Sequence, residues 1–327
     1  MSLLTQASLV LTPTSYKANK LYSVVPSSGN GDLTTTRATT ATRVNSSGLV
    51  ENVATGIPRV DYTSGVANIL LEPQRTNRLL NSATVVTQTI STTGVACTVS
   101  FYGTGTITFS GTFSGSLVGT GVSNRVSLTF TPTSGNLFLT VSGTCTNGQL
   151  ENGSYATSYI PTTTSTVTRN EDLASVSGVT SLIGQTEGVM FFESAALSND
   201  LTARLVSISD GTTSNRIVLI YDSSSNLVSA AMVSAGTLVI PSINYTIADE
   251  TQFIKMAVRY SNTLGVSLWI NGVNRASSIV TTLPISMNRF SFDRGTSGSN
   301  TFYGKVKSAQ LYKTYLTDAE MVSLTTL

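Results

Sequence analysis

Histidine is absent from the 327 residues. With it go the usual general base near neutral pH, the imidazole-dependent Ser and Cys triads, and the His ligands of most zinc and iron sites. Cysteine is almost as scarce, with only Cys97 and Cys145, too few and too far apart for a metal site and compatible with one bridge or two buried thiols. Charge is thin: Asp, Glu, Lys and Arg make up 11% of the chain, against about a quarter in an average soluble domain. The net charge of +2 comes from cations scattered singly, so no basic stripe exists to neutralise a nucleic-acid backbone. No apolar run approaches the ~18–20 residues of a membrane-spanning helix, so no membrane insertion is expected. The start, Met1 to Pro13, has no cation before Lys17 and no compact apolar block, and is not expected to act as a secretory signal. Neither a phosphate-binding Gly-rich loop nor a dinucleotide fingerprint occurs, so no cofactor is expected.

What is present is Ser and Thr alternating with aliphatics, beneath a hydrophobic fraction of 40%. Strands buried on one face read this way, with hydroxyls supplying the outward polarity that charge does not. The fold class expected is all-β: an extended N-terminal arm, two antiparallel β-sandwich (jelly-roll) domains and one short C-terminal helix. The chain is organised around Ile69 to Ser82, where Pro73 stiffens the backbone and ends the Leu70-Leu71 strand. In this joint Glu72, Arg75 and Asn77 are the structural candidates, with Glu72 and Arg75 close enough in sequence to pair.

Residues 1–82 are therefore expected as attachment arm and joint, since the apolar groups before the joint are short and separated by turn chemistry such as Ser27-Ser28-Gly29-Asn30. Residues 83–187 form the first domain. In it Thr106 to Phe109, Val126 to Phe130 and Leu137 to Val141 alternate cleanly, and Pro132 to Asn136 are expected to join the last two as a hairpin. Residues 188–327 form the second, where Asn271-Gly272 signals a type I′ hairpin and Thr317-Asp318-Ala319-Glu320 a capping box.

Without histidine, the enzyme class left open is glycoside hydrolysis, which needs two carboxylates about 5–10 Å apart. The near pairs, Asp249-Glu250 and Asp318 with Glu320, fit a turn and a helix cap, so no catalytic residue is assigned and the chain is not expected to be an enzyme. For sugar binding, which uses aromatic faces beside polar partners, the candidates are Trp269 and Asn271, on the more polar face of their strand, with Tyr102 and Tyr260. Asp210, Asp222 and Asp293 sit at turns, which accounts for them better than calcium does; no metal is assigned.

Several motifs carry a resemblance. Lys20 to Pro26, Arg37 to Asn45, Gly48 to Glu51, Pro58 to Tyr62 and Leu70 to Asn77 follow an order that resembles structural proteins of tailed bacteriophages. Gln149 to Gly153, Ala156 to Pro161 and Thr168-Arg169 look like the continuation into a carbohydrate-binding-module-like jelly roll. The stretch from Val189 to Glu320 is similar to concanavalin A-like/laminin G-like sandwiches. The resemblance implies a virion head fibre, capsid decoration or tail appendage, often a homotrimer. Its arm would meet other virion proteins and its distal domains host-surface glycans. It also implies assembly in the host cytoplasm and release by lysis, under which two thiols are favoured over a bridge. A polysaccharide depolymerase and a purely architectural decoration are the alternatives. The Glu-x-Asp-x-x-Glu motif of laminarinase-like relatives is missing, which counts against the former.

Overall fold

The computed structural model describes residues 2–280 and 282–327. It is all-β, built from antiparallel sheets, with a short helix, Asp318–Thr325, near the end. That helix begins as its sequence requires: Thr317 Oγ1 accepts from Glu320 N, and the Glu320 side chain accepts from Thr317 N.

The larger sandwich packs an eight-stranded sheet against a seven-stranded one. In the first, strands Val273–Ser278, Gly265–Ile270, Ile254–Ser261, Glu187–Ala196, Gly304–Tyr312, Asn68–Leu71 and Arg59–Asp61 lie in that order, and Ala7–Leu11 also pairs with Gly304–Tyr312. In the second the order is Thr237–Thr246, Leu227–Ser234, Arg216–Tyr221, Arg204–Ser209, Arg289–Ser291, Leu173–Ser177 and Thr34–Thr36. Between them lie Leu9, Leu11, Ile69, Phe192, Ile208, Leu219, Met232, Leu268, Phe290 and Phe302, all fully buried or nearly so. Asn271 and Gly272, at φ 48° and 79°, make the hairpin from Gly265–Ile270 to Val273–Ser278, as their tolerance of positive φ predicts.

The expectation of an extended arm is thus corrected. Residues 1–71 supply strands to both sheets of the larger sandwich, and Leu9, Leu11, Leu21, Leu33 and Val60 belong to its core. Such groups cannot close a core alone, and they complete one whose remaining strands lie far along the chain.

The smaller sandwich has a four-stranded sheet (Gln88–Thr93, Ser134–Ser142, Thr106–Gly111, Gly115–Val118) and a three-stranded one (Gly121–Phe130, Cys97–Gly103, Cys145–Asn152). The hairpin expected across Pro132 to Asn136 does not form. Gly121–Phe130 pairs with Cys97–Gly103, whereas Ser134–Ser142 pairs with Gln88–Thr93 and Thr106–Gly111. Placed in opposite sheets, the two strands turn Phe130, Leu137 and Leu139 into one core with Phe101, Ile107 and Phe109. Alternation fixes which face is buried, and it leaves the partner strand open. Cys97 and Cys145 are free, buried thiols.

The candidate functional site: a cleft at the joint

Beyond Pro73, Arg75–Asn77 pairs with Val167–Arg169, so the chain entering the smaller sandwich is tied to the chain leaving it. Glu72, only 3% exposed, lies 2.7 Å from Arg59 and 2.8 Å from Arg169, and accepts hydrogen bonds from Ser158 N at 2.7 Å and Ser158 Oγ at 2.6 Å. Asp172 pairs with Arg37 at 2.7 Å and with Arg59, and accepts from Glu72 N at 2.9 Å. Burial alone would push the Glu72 carboxyl up. The charges of Arg169 and Arg59, with the Ser158 hydrogen bonds, reverse that and hold it far below the usual carboxylate range.

Glu72 and Arg75 do not pair. Three apart in an extended chain, they point to opposite faces, and Arg75 instead reaches Glu151 at 3.6 Å and stacks on Tyr155 at 5.3 Å. Asn77 braces the same junction from full burial. Its Nδ2 donates to Gly148 O and Ile160 O, and its Oδ1 accepts from Leu79 N and Leu150 N, which satisfies the amide completely.

The buried network forms one wall of a cleft of about 290 Å³, bounded by residues 42–72, by the three-stranded sheet and segment 156–159 of the smaller sandwich, and by Leu197, Thr251 and Lys305 of the larger one. Pairing of Tyr102 with Arg125 across adjacent strands brings an aromatic ring and a guanidinium to the same wall. Arg125 donates to Thr157 O at 2.6 Å and Ser100 Oγ at 2.8 Å, while its Nε is buried without an acceptor. Arg43, paired with Glu51 at 2.7 Å, and Lys305 add two more cations.

The carboxylates of the cleft are already engaged. Asp61 accepts from Val44 N at 2.8 Å and Thr63 N at 2.9 Å, and Glu72 is held between two arginines. What faces a ligand is a half-buried tyrosine, hydroxyls and cationic donors with capacity to spare. That combination suits a sugar bearing negative charge. Hydrolysis would require a carboxylic acid kept protonated beside a second carboxylate, a state from which Glu72 is held away by its two arginines.

Of the sequence candidates for ligand contact, only Tyr102 lies in this cleft. Trp269 is 3% exposed. It packs with Phe191, Leu316, Met321 and Leu324 beneath the C-terminal helix, donates from Nε1 to Ser267 Oγ at 2.9 Å and lies under the Arg259 guanidinium. The polar side of its strand is covered by that helix, which corrects its reading as an exposed sugar platform. Tyr260 is also core, 1% exposed, donating to Gly184 O at 2.8 Å. Asn271 serves the hairpin, accepting from Lys255 N at 3.0 Å, and borders a separate shallow pocket with Tyr245 and Phe253. Asp210, Asp222 and Asp293 accept from groups within their own turns or from Arg289. Sequence reasoning missed Arg125, although a lone cation among Ser127 and Thr129 on the outward face of an alternating strand was the available signal.

No family model and no curated protein matches this chain. Among solved structures it is similar to the CBM40 domain of the Ruminococcus gnavus IT-sialidase bound to α2,3-sialyllactose, with a TM-score of 0.38 and 16% identity, covering 44% of this chain and 84% of that one. It is also similar to the leech intramolecular trans-sialidase (TM-score 0.36, 13% identity, covering 43% and 23%). A third similar structure is the binding domain of botulinum neurotoxin serotype G (TM-score 0.38, 12% identity, covering 46% and 39%).

Proposed function

We propose that this chain is a non-catalytic glycan-binding component of a phage virion surface, and that the joint cleft takes an acidic sugar. The observation that carries the binding reading is the imbalance in the cleft: both carboxylates are already hydrogen-bonded within the protein, while three cationic side chains, Arg43, Arg125 and Lys305, line it together with Tyr102. The virion placement rests on the order of N-terminal motifs, from Lys20-Leu21-Tyr22 to Arg75-Thr76-Asn77, that resembles tailed-phage structural proteins. In a homotrimer, three weak sites on one particle appendage would gain avidity through linkage.

A glycan array probed with the full chain in multivalent form tests this. Uronate- or sialate-bearing glycans should be retained over neutral ones. Arg125→Ala should weaken retention roughly ten- to hundred-fold, the loss expected for one charge-assisted hydrogen-bonding group of about 1.5–3 kcal/mol. Equal retention of neutral and acidic glycans, or an Arg125→Ala variant that binds as well as the parent, would refute the assignment.

A further inference from the structure

The short strands Ala41–Val44 and Val50–Val53 pair with each other in a ribbon of their own, outside both sheets of the larger sandwich. Strand alternation gives such a ribbon two faces. Thr42, Val44 and Val50 line the joint cleft, whereas Asn45 and Glu51 line a second cavity of about 350 Å³, and Arg43 borders both. The neighbouring chain divides in the same way. Asp61 and Thr63 face the cleft, while Val60 and Tyr62 face the second cavity, with Tyr16 and Ser46 beside them.

The lining of that cavity is held in place. Tyr16 and Tyr62 both pack against the core of the larger sandwich, and Tyr62 N donates to Val44 O at 2.9 Å. Arg43 lies over the Tyr16 ring at 5.0 Å and donates from Nε to Glu51 Oε1 at 2.7 Å. Asn45 Nδ2 donates to Glu51 Oε2 at 3.1 Å, and Asn45 is itself fixed by Ser47 N and Leu49 N, which donate to its Oδ1. The hydrogen bonds from Asn45 and Arg43 hold the Glu51 carboxyl below its usual range, so it is ionised at neutral pH. Each of its oxygens has one partner and a lone pair to spare, and the side chain is 37% exposed. Among the described residues no cation stacks on Tyr62, and neither its hydroxyl nor that of Ser46 is hydrogen-bonded.

We infer that this cavity is a second sugar site, taking a neutral hexose through Glu51 and Tyr62. The contrast with the joint cleft decides the class of ligand. There the carboxylates are buried; here the carboxylate is open to solvent beside an arginine that it neutralises, which favours hydroxyl donors and disfavours an anion. An unstacked aromatic ring, a charged acceptor, an amide and a free hydroxyl converge on a volume at the lower end of the ~300–1,000 Å³ usual for ligand pockets, which suits one pyranose ring. Its hydroxyls donate to Glu51 and its apolar face lies on Tyr62. A single half-open site of this kind binds weakly, so acidic glycans keep their preference. The inference shares with the proposed function only a class of ligand, and it stands or falls separately.

The test is saturation-transfer NMR on the full chain, with the methyl glycosides of glucose, galactose, mannose and N-acetylglucosamine as probes and glucuronate alongside. At least one neutral glycoside should bind saturably to the wild type. Glu51→Ala, altering a half-exposed side chain, should weaken that binding roughly tenfold or more, the loss expected when hydroxyls are deprived of a charged acceptor. Tyr62→Leu, which keeps an apolar group on the core, should abolish it. Arg125→Ala should leave it unchanged while weakening the binding of glucuronate. No saturable neutral binding by the wild type, neutral binding that survives Glu51→Ala, or its loss in Arg125→Ala would overturn the inference. Glucuronate that fails to bind while the neutral glycoside follows Glu51 and Tyr62 would support this site and remove the cleft's assignment alone.

Discussion

Deleting residues 1–68 should unfold the larger sandwich rather than release a folded monomer. The deletion removes strands Ala7–Leu11, Thr34–Thr36 and Arg59–Asp61 from its two sheets, and takes Leu9, Leu11, Leu21, Leu33 and Val60 from its core. At about 1.5–3 kcal/mol for each fully buried aliphatic side chain, the loss is comparable with the ~5–15 kcal/mol total stability of an ordinary domain. It also strips Arg37 and Arg59 from Asp172 and Glu72, leaving buried carboxylates short of partners. Circular dichroism and amide exchange on the truncated chain would check this. The expected result is loss of cooperative unfolding and of protection in Glu187–Ala196 and Gly304–Tyr312. A compact truncated protein with protected sheets would show that the N-terminal segment is the detachable arm its turn-rich sequence suggests.

The second large effect belongs to Glu72. Replacement by Gln keeps the shape and removes the charge that Arg59 and Arg169 face, so Glu72→Gln should cost roughly 3–5 kcal/mol, the usual penalty for leaving one side of a buried pair unmatched. The pH dependence has a definite sign. The folded-state pKa of Glu72 lies below its ordinary carboxylate value of 4.5, so its contribution is complete above that value and is lost as pH falls through the folded value. Denaturant melts at stepped pH should show wild-type stability falling in acid below about 4.5, and a flatter profile for Glu72→Gln. Parallel profiles for the two proteins would mean that the network is not held together by this carboxylate.

Much of the fold was legible because alternation is local. Thr106-Ile107-Thr108-Phe109 states its buried face in four residues, Asn271-Gly272 its turn, and Thr317 with Glu320 its helix start. Pairing partners were not legible by the same means. Nothing near Ala7–Leu11 indicates that it will join Gly304–Tyr312, and the short separation across Pro132 imitates a hairpin while the two strands enter opposite sheets. The joint was recognisable from Pro73 and its cluster of polar residues, yet its ion pairs link positions far apart in sequence: Arg59 and Arg169 to Glu72, Arg37 to Asp172. Trp269 shows the converse limit. Its strand does place it away from the main core, but alternation says nothing about the helix that covers that face.

One incubation addresses the central claim of recognition without cleavage. The full chain would be equilibrated with a soluble acidic polysaccharide, and the bound fraction and the newly formed reducing ends measured in the same sample, for the wild type and Arg125→Ala. The account predicts saturable binding by the wild type, much weaker binding by the variant, and no reducing ends from either. Reducing ends that accumulate with wild-type protein, or binding indifferent to Arg125, would contradict it.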